Sequence, residues 1–112
     1  MGIFDFFDDI GNHEQRKVDH YESKDGLMVD TCSVSDGNQP YETAVEHPNY
    51  NDGDMVIVEA YDTKEDAQIG HDKWVKKMTS KKLPDKLVDC CNAGVSQLCS
   101  IIGTPMEFPR QD

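Results

Sequence analysis

The sequence predicts an α+β fold. It consists of a small antiparallel sheet of about three strands, one to two helices packed on one face, and a short amphipathic helix at the N-terminus. Three observations predict it. Residues 27–61 contain successive runs of strand character separated by turn residues. Residues 63–78 carry an apolar stripe at helical spacing. With 112 residues and 37% apolar content, the chain has room for one thin core and no second one.

In residues 3–10, at ~100° per residue, Ile3, Phe4, Phe6, Phe7 and Ile10 share one arc, and Asp5, Asp8 and Asp9 lie opposite. Two helical turns are marginal alone and need a surface to fold against. That surface is either this chain's own sheet or a partner's apolar groove. Residues 11–26 are almost wholly polar and read as a connector ending at the turn signal Asp25-Gly26. The chain thus divides into an N-terminal segment, 1–26, an α+β domain, 27–103, and a Pro-punctuated tail, 104–112.

Within the domain, Leu27–Val34 places Leu27, Val29 and Thr31 on one parity. Tyr41–His47 alternates Tyr41, Thr43 and Val45 against Glu42, Ala44 and Glu46, as a half-buried strand does. Met55–Tyr61 holds three consecutive β-branched residues, which suits a strand covered on both faces or central in the sheet. Asn51-Asp52-Gly53-Asp54 supplies the hairpin connection before it. A helix follows, capped by Asp62 or Thr63 with Glu65 or Asp66 three residues on. Its stripe is Ala67, His71, Trp74 and Met78, and Lys73, Lys76 and Lys77 lie across from it. Pro84 suits the first turn of a final helix, with Leu87, Cys91, Val95, Leu98 and Ile102 as its stripe and Gly103 as its stop.

Charge is sorted along the chain. Residues 32–63 hold seven acids (Asp36, Glu42, Glu46, Asp52, Asp54, Glu59, Asp62) and no Lys or Arg, whereas 64–88 hold seven lysines against four acids. The formal net charge of −11 opposes direct contact with nucleic acid or an anionic membrane. No run of eighteen apolar residues predicts a membrane span, and no basic-then-apolar leader predicts secretion. The cysteines, Cys32, Cys90, Cys91 and Cys99, are then expected as reduced thiols of an intracellular protein.

Motifs of chemistry are sparse. Cys90, Cys91 and Cys99 with His47 or His71 supply soft ligands, but no Cys-x2-Cys pair exists, so no metal or cofactor is expected. His71, on the buried stripe, reads as a satisfied core histidine rather than as the base of a Cys32 or Cys91 nucleophile. No nucleophile elbow, phosphate loop or metalloprotease signature is present.

Tyr41-Glu42-Thr43-Ala44-Val45, His47-Pro48, Tyr50-Asn51, Gly53, Val56 through Glu65, Ala67, Gly70-His71, Lys73-Trp74-Val75 and Met78 resemble small proteins of tailed bacteriophages to which no activity is assigned. The resemblance covers about 40 residues and implies a phage origin. The expected function is a non-enzymatic, acidic protein–protein interaction protein that inhibits a host or defence protein by occupying its basic surface. Asp36, Glu42, Glu46, Asp52, Asp54 and Glu59 would supply the field, and Phe4, Phe6 and Phe7 the apolar anchor. Its place would be the host cytoplasm. The alternative is a minor virion or assembly component whose acidic and basic faces pair between copies, a homo-oligomer.

Overall fold

The computed structural model describes residues 17–35, 38–92 and 105–111. Four strands form an antiparallel meander in the order β1 (Lys17–Glu22), β2 (Met28–Ser33), β3 (Tyr41–Glu46) and β4 (Val56–Tyr61). Helix α1 (Lys64–Met78) crosses one face of this sheet, and β5 (Lys86–Val88) pairs with β6 (Glu107–Pro109). The α+β class is as the sequence predicts, with four strands in the main sheet rather than three.

β1 lies in the stretch read as a polar connector. It is an edge strand, and an edge tolerates charge because one side of its backbone faces solvent. Its apolar contribution is Tyr21, which stands opposite Val29 and packs against the core.

α1 starts where the sequence places it. Thr63 Oγ1 accepts the backbone N–H of Asp66 at 3.1 Å, Glu65 and Asp66 occupy the first turn, and Lys76 and Lys77 the last. That distribution suits the helix dipole. Ala67, His71 and Met78 are buried and Trp74 is half-buried, so the stripe faces the sheet. The core comprises Leu27, Val29, Val45, Tyr50, Val56, Val58, Met78 and Leu87, with Tyr21, Trp74, Val75, Leu83 and Phe108 packed around it.

The final helix is not formed over its first part. Residues 86–88 are extended, and Leu87 stands opposite Phe108. Asp89 N–H donates to Met106 O and Cys90 N–H to Ile57 O, both at 2.9 Å, and Cys91 adopts a left-handed backbone at φ 63°. Leu87 does enter the core, but as the inward residue of a strand, so a four-residue recurrence with Cys91 was a poor guide. The later stripe residues Val95, Leu98 and Ile102 lie outside the described residues, as does the N-terminal helix.

The β3–β4 connection is a tight left-handed turn. Asn51, Asp52 and Gly53 have φ of 53°, 54° and 89°, and these residue types enter that region most readily. Beneath the turn Tyr50 is fully buried, with its hydroxyl donating to Pro84 O.

Candidate functional site

One row of the sheet is polar across all four strands. Asp19 stands opposite Thr31, Thr31 opposite Thr43, and Thr43 opposite Glu59. The neighbouring row, Tyr21, Val29, Val45 and Val56, is apolar. Residues directly opposite in a ladder share a face, so both rows lie under α1. Glu59 reaches this face through a bulge. Ala44 pairs with Ile57 and Thr43 with Glu59, which leaves Val58 as an extra residue on β4. Val56 and Val58 point inward by ordinary alternation, and beyond the bulge Glu59 and Tyr61 do so too.

The row and the helix together make a continuous hydrogen-bonded relay. His71 Nδ1 lies 2.8 Å from Thr31 Oγ1, which lies 2.6 Å from Thr43 Oγ1, and this lies 2.9 Å from Tyr61 Oη. Tyr61 donates to Glu59 Oε1 at 3.2 Å. The same carboxylate oxygen accepts Trp74 Nε1–H at 2.9 Å and Lys73 Nζ at 2.6 Å. Thr31 and Thr43 are 0% exposed, and His71 is 2% exposed.

The sense of the relay follows from counting protons. Glu59 is ionised: burial alone would push its carboxyl up, but the donors Lys73, Trp74 and Tyr61 outweigh it and hold it below the usual carboxylate range. A carboxylate only accepts, and a hydroxyl has one proton to give. Tyr61 spends its proton on Glu59, so Thr43 must donate to Tyr61 and Thr31 to Thr43. Thr31 then has none left, and His71 must donate from Nδ1. His71 is thus the Nδ1–H tautomer, with a bare lone pair on Nε2.

Nε2 of His71 lies 3.8 Å from Asp19 Oδ2, where two acceptors face each other without a hydrogen bond. Burial pushes the imidazole pKa down, against the pull of Asp19, Asp72 and Asp30 and with a smaller push from His20. Asp19 is held low mainly by Gln68, whose Nε2 donates to it at 2.9 Å and to Asp72 Oδ1 at 3.1 Å. These groups border a hollow of about 290 Å³ whose lining includes Asp19, His20, His71, Asp72 and Lys76, with Tyr21 and Val75. Asp19, His71 and Thr31 have the residue types of a catalytic triad, but Thr31 is sealed off and its proton is already engaged, so it offers no nucleophile.

The sequence-expected contact residues separate. Phe4, Phe6, Phe7 and Asp36 lie outside the described residues. Glu42 is buried and accepts Asn92 Nδ2 at 2.9 Å, while Glu59 belongs to the relay. Glu46 is half-buried, and Asp52 and Asp54 are exposed on the turn. Sequence reasoning placed His71 on the buried stripe and grouped Thr31 with Leu27 and Val29, and Thr43 with Tyr41 and Val45, without fixing which parity faces inward, and it missed Asp19, Gln68 and Tyr61. Two threonines on core parities of successive strands were the available signal.

The cysteines also differ from expectation. Cys91 is disulfide-bonded, whereas Cys32 and Cys90 carry no disulfide. Cys32 alternates with Thr31 and stands opposite Glu42, on the face away from His71, so it forms no pair with that imidazole. Burial pushes the Cys90 thiol up. Among the described residues no group of three or more His, Cys, Asp or Glu is arranged to hold a metal ion. No helix among them is long and apolar enough to cross a membrane.

Compared with protein-family models, curated proteins and solved structures, the chain matches none.

Proposed function

We propose that this chain is a non-enzymatic, acidic interaction protein of phage type that occupies a basic surface of a host or defence protein. The supporting observation is the shape of the β3–β4 turn. Asp52 lies within a left-handed bend and Asp54 directly follows it, with Met55 next at 54% exposure. The bend is held from several sides. Asp52 N–H donates to Gln111 Oε1 at 3.1 Å, and Gln111 Nε2 donates to Asp52 Oδ1 at 3.0 Å. Gln111 N–H donates to Asn49 O at 2.6 Å, and Gly53 N–H to Tyr50 O at 2.9 Å. A clamped acidic tip beside an exposed thioether loses little freedom on docking, and its charge steers it to a basic patch.

Affinity capture from phage-infected cells tests this, comparing wild type with the Asp52→Lys, Asp54→Lys double variant. The wild type retains a host protein that elutes as salt rises, and the variant retains at least about tenfold less. Equal capture by both sinks the reading.

A second reading, a virion or assembly component, is favoured by one other surface. Lys81, Lys82 and Arg110 border a hollow of about 400 Å³ with Leu83 and Asp85, of opposite sign to the acidic turn. Pairing of the two between copies would give oligomers that dissociate with salt. Sedimentation at low ionic strength decides it, since a monomer there ends this alternative.

A further inference from the structure

We propose that the hollow between β1 and α1 binds a primary alkylammonium group, held between Nε2 of His71 and the carboxylate of Asp19. The site is distinct from the docking turn, and its test does not depend on that reading. Three features of the molecule lead to it.

The first is an unmatched acceptor. His71 is 98% buried, because 2% of it is exposed, and its Nδ1 proton is committed to Thr31 by the relay. The other nitrogen is left with a lone pair that no side chain among the described residues meets, and it opens to solvent in the hollow. Asp19 stands 3.8 Å away with a second acceptor. A donor atom about 2.8 Å from each fits between them. The partner that satisfies both must carry at least two N–H or O–H groups, and positive charge makes both bonds stronger.

The second is the sign of the surroundings. The groups facing His71 are Asp19 and His20 from β1, Asp30 from β2, and Asp72 from its own helix, with Lys76 also lining the hollow. Asp30 is paired with Lys17 at 3.6 Å and with His20 at 2.8 Å, so the hollow itself holds two carboxylates, Asp19 and Asp72, against Lys76, a balance that favours a cation beside Asp19. A metal ion is the weaker candidate because, among the described residues, no three His, Cys, Asp or Glu side chains are placed to share one.

The third is shape. Tyr21 and Val75 line the same hollow and provide apolar walls for a short methylene chain behind the charged head. An alkylammonium of lysine length combines the head and the chain. The same chemistry arrives either as a free small amine or as the tip of a lysine side chain.

The experiment follows the His71 ring nitrogens by long-range proton–nitrogen NMR. Labelled protein is titrated with n-butylammonium and, at matched ionic strength, with tetramethylammonium, which has the charge but no N–H. Butylammonium is expected to shift the Nε2 resonance saturably, and tetramethylammonium to leave it in place. Asp19→Asn is expected to weaken the response about tenfold or more. Asp25→Asn, on the exposed β1–β2 turn, controls for net charge and should bind as wild type. Identical responses to the two cations, or an undiminished response in Asp19→Asn, overturn the proposal. A capped Gly-Lys-Gly peptide separates the sources: binding as tight as butylammonium identifies a lysine side chain, and weaker binding identifies a free amine.

Discussion

Gly70 and Tyr61 are fitted to each other. A Cβ built on Gly70 would fall on the Tyr61 ring, so the helix passes over the phenol only because residue 70 has no side chain. In an ordinary helix, alanine for glycine gains about 1 kcal/mol. Here Gly70→Ala is expected to destabilise by about 2 kcal/mol, because Tyr61 must leave its place and break its bonds to Thr43 and Glu59. Denaturant unfolding in a Tyr61→Ala background checks the cause: there the same substitution should become neutral or stabilising. A destabilisation of equal size in both backgrounds would mean that the ring is not the obstacle. The sequence shows Gly70 as a glycine inside a helix, and nothing local reveals what passes beneath it.

Legibility at the element scale tracks how local each signal is. α1 was readable because its cap, its stripe and its terminal charges all lie within one segment. β2, β3 and β4 were readable from alternation and from turn residues. β1 was not, since a polar edge strand has little of the periodicity that marks a half-buried one. The bulge in β4 hid the orientation of Glu59, because one extra residue reverses every side chain beyond it. That reversal moves Glu59 from the expected acidic surface into the relay. β5 was obscured differently, since Leu87 satisfied a helical spacing while its pairing partner, Phe108, lies 21 positions away. Leu87 is 1% exposed at the junction of the strand pair and the main core. Leu87→Ala should therefore cost about 2–5 kcal/mol in urea unfolding. A loss within about 0.5 kcal/mol, typical of surface substitutions, would show that β5 is not anchored there.

The whole molecule is organised around the polar row, which joins all four strands of the main sheet to α1. Its titration should appear in global stability. His71 and His47 both have folded-state pKa values below the ordinary 6.5, chiefly through burial. The unfolded chain then binds more protons between the two values, so their contribution is complete above about pH 6.5 and is lost as pH falls towards the folded values. Asp19 and Glu59, both held low, protonate only at lower pH and do not contribute to this window. Urea midpoints at about pH 7.5 and about pH 5.5 should fall in the wild type and fall less in His71→Gln. An equal fall in both would assign the loss elsewhere. The relay also ties the bare nitrogen at Asp19 to the ionised Glu59 on β4, through three hydroxyls that each give one proton. Its direction is the claim on which the cation site depends. The most direct test is the tautomer of His71 in the unliganded protein at neutral pH, read from long-range proton–nitrogen correlations. The account predicts a proton on Nδ1 and none on Nε2, and a proton found on Nε2 would contradict it.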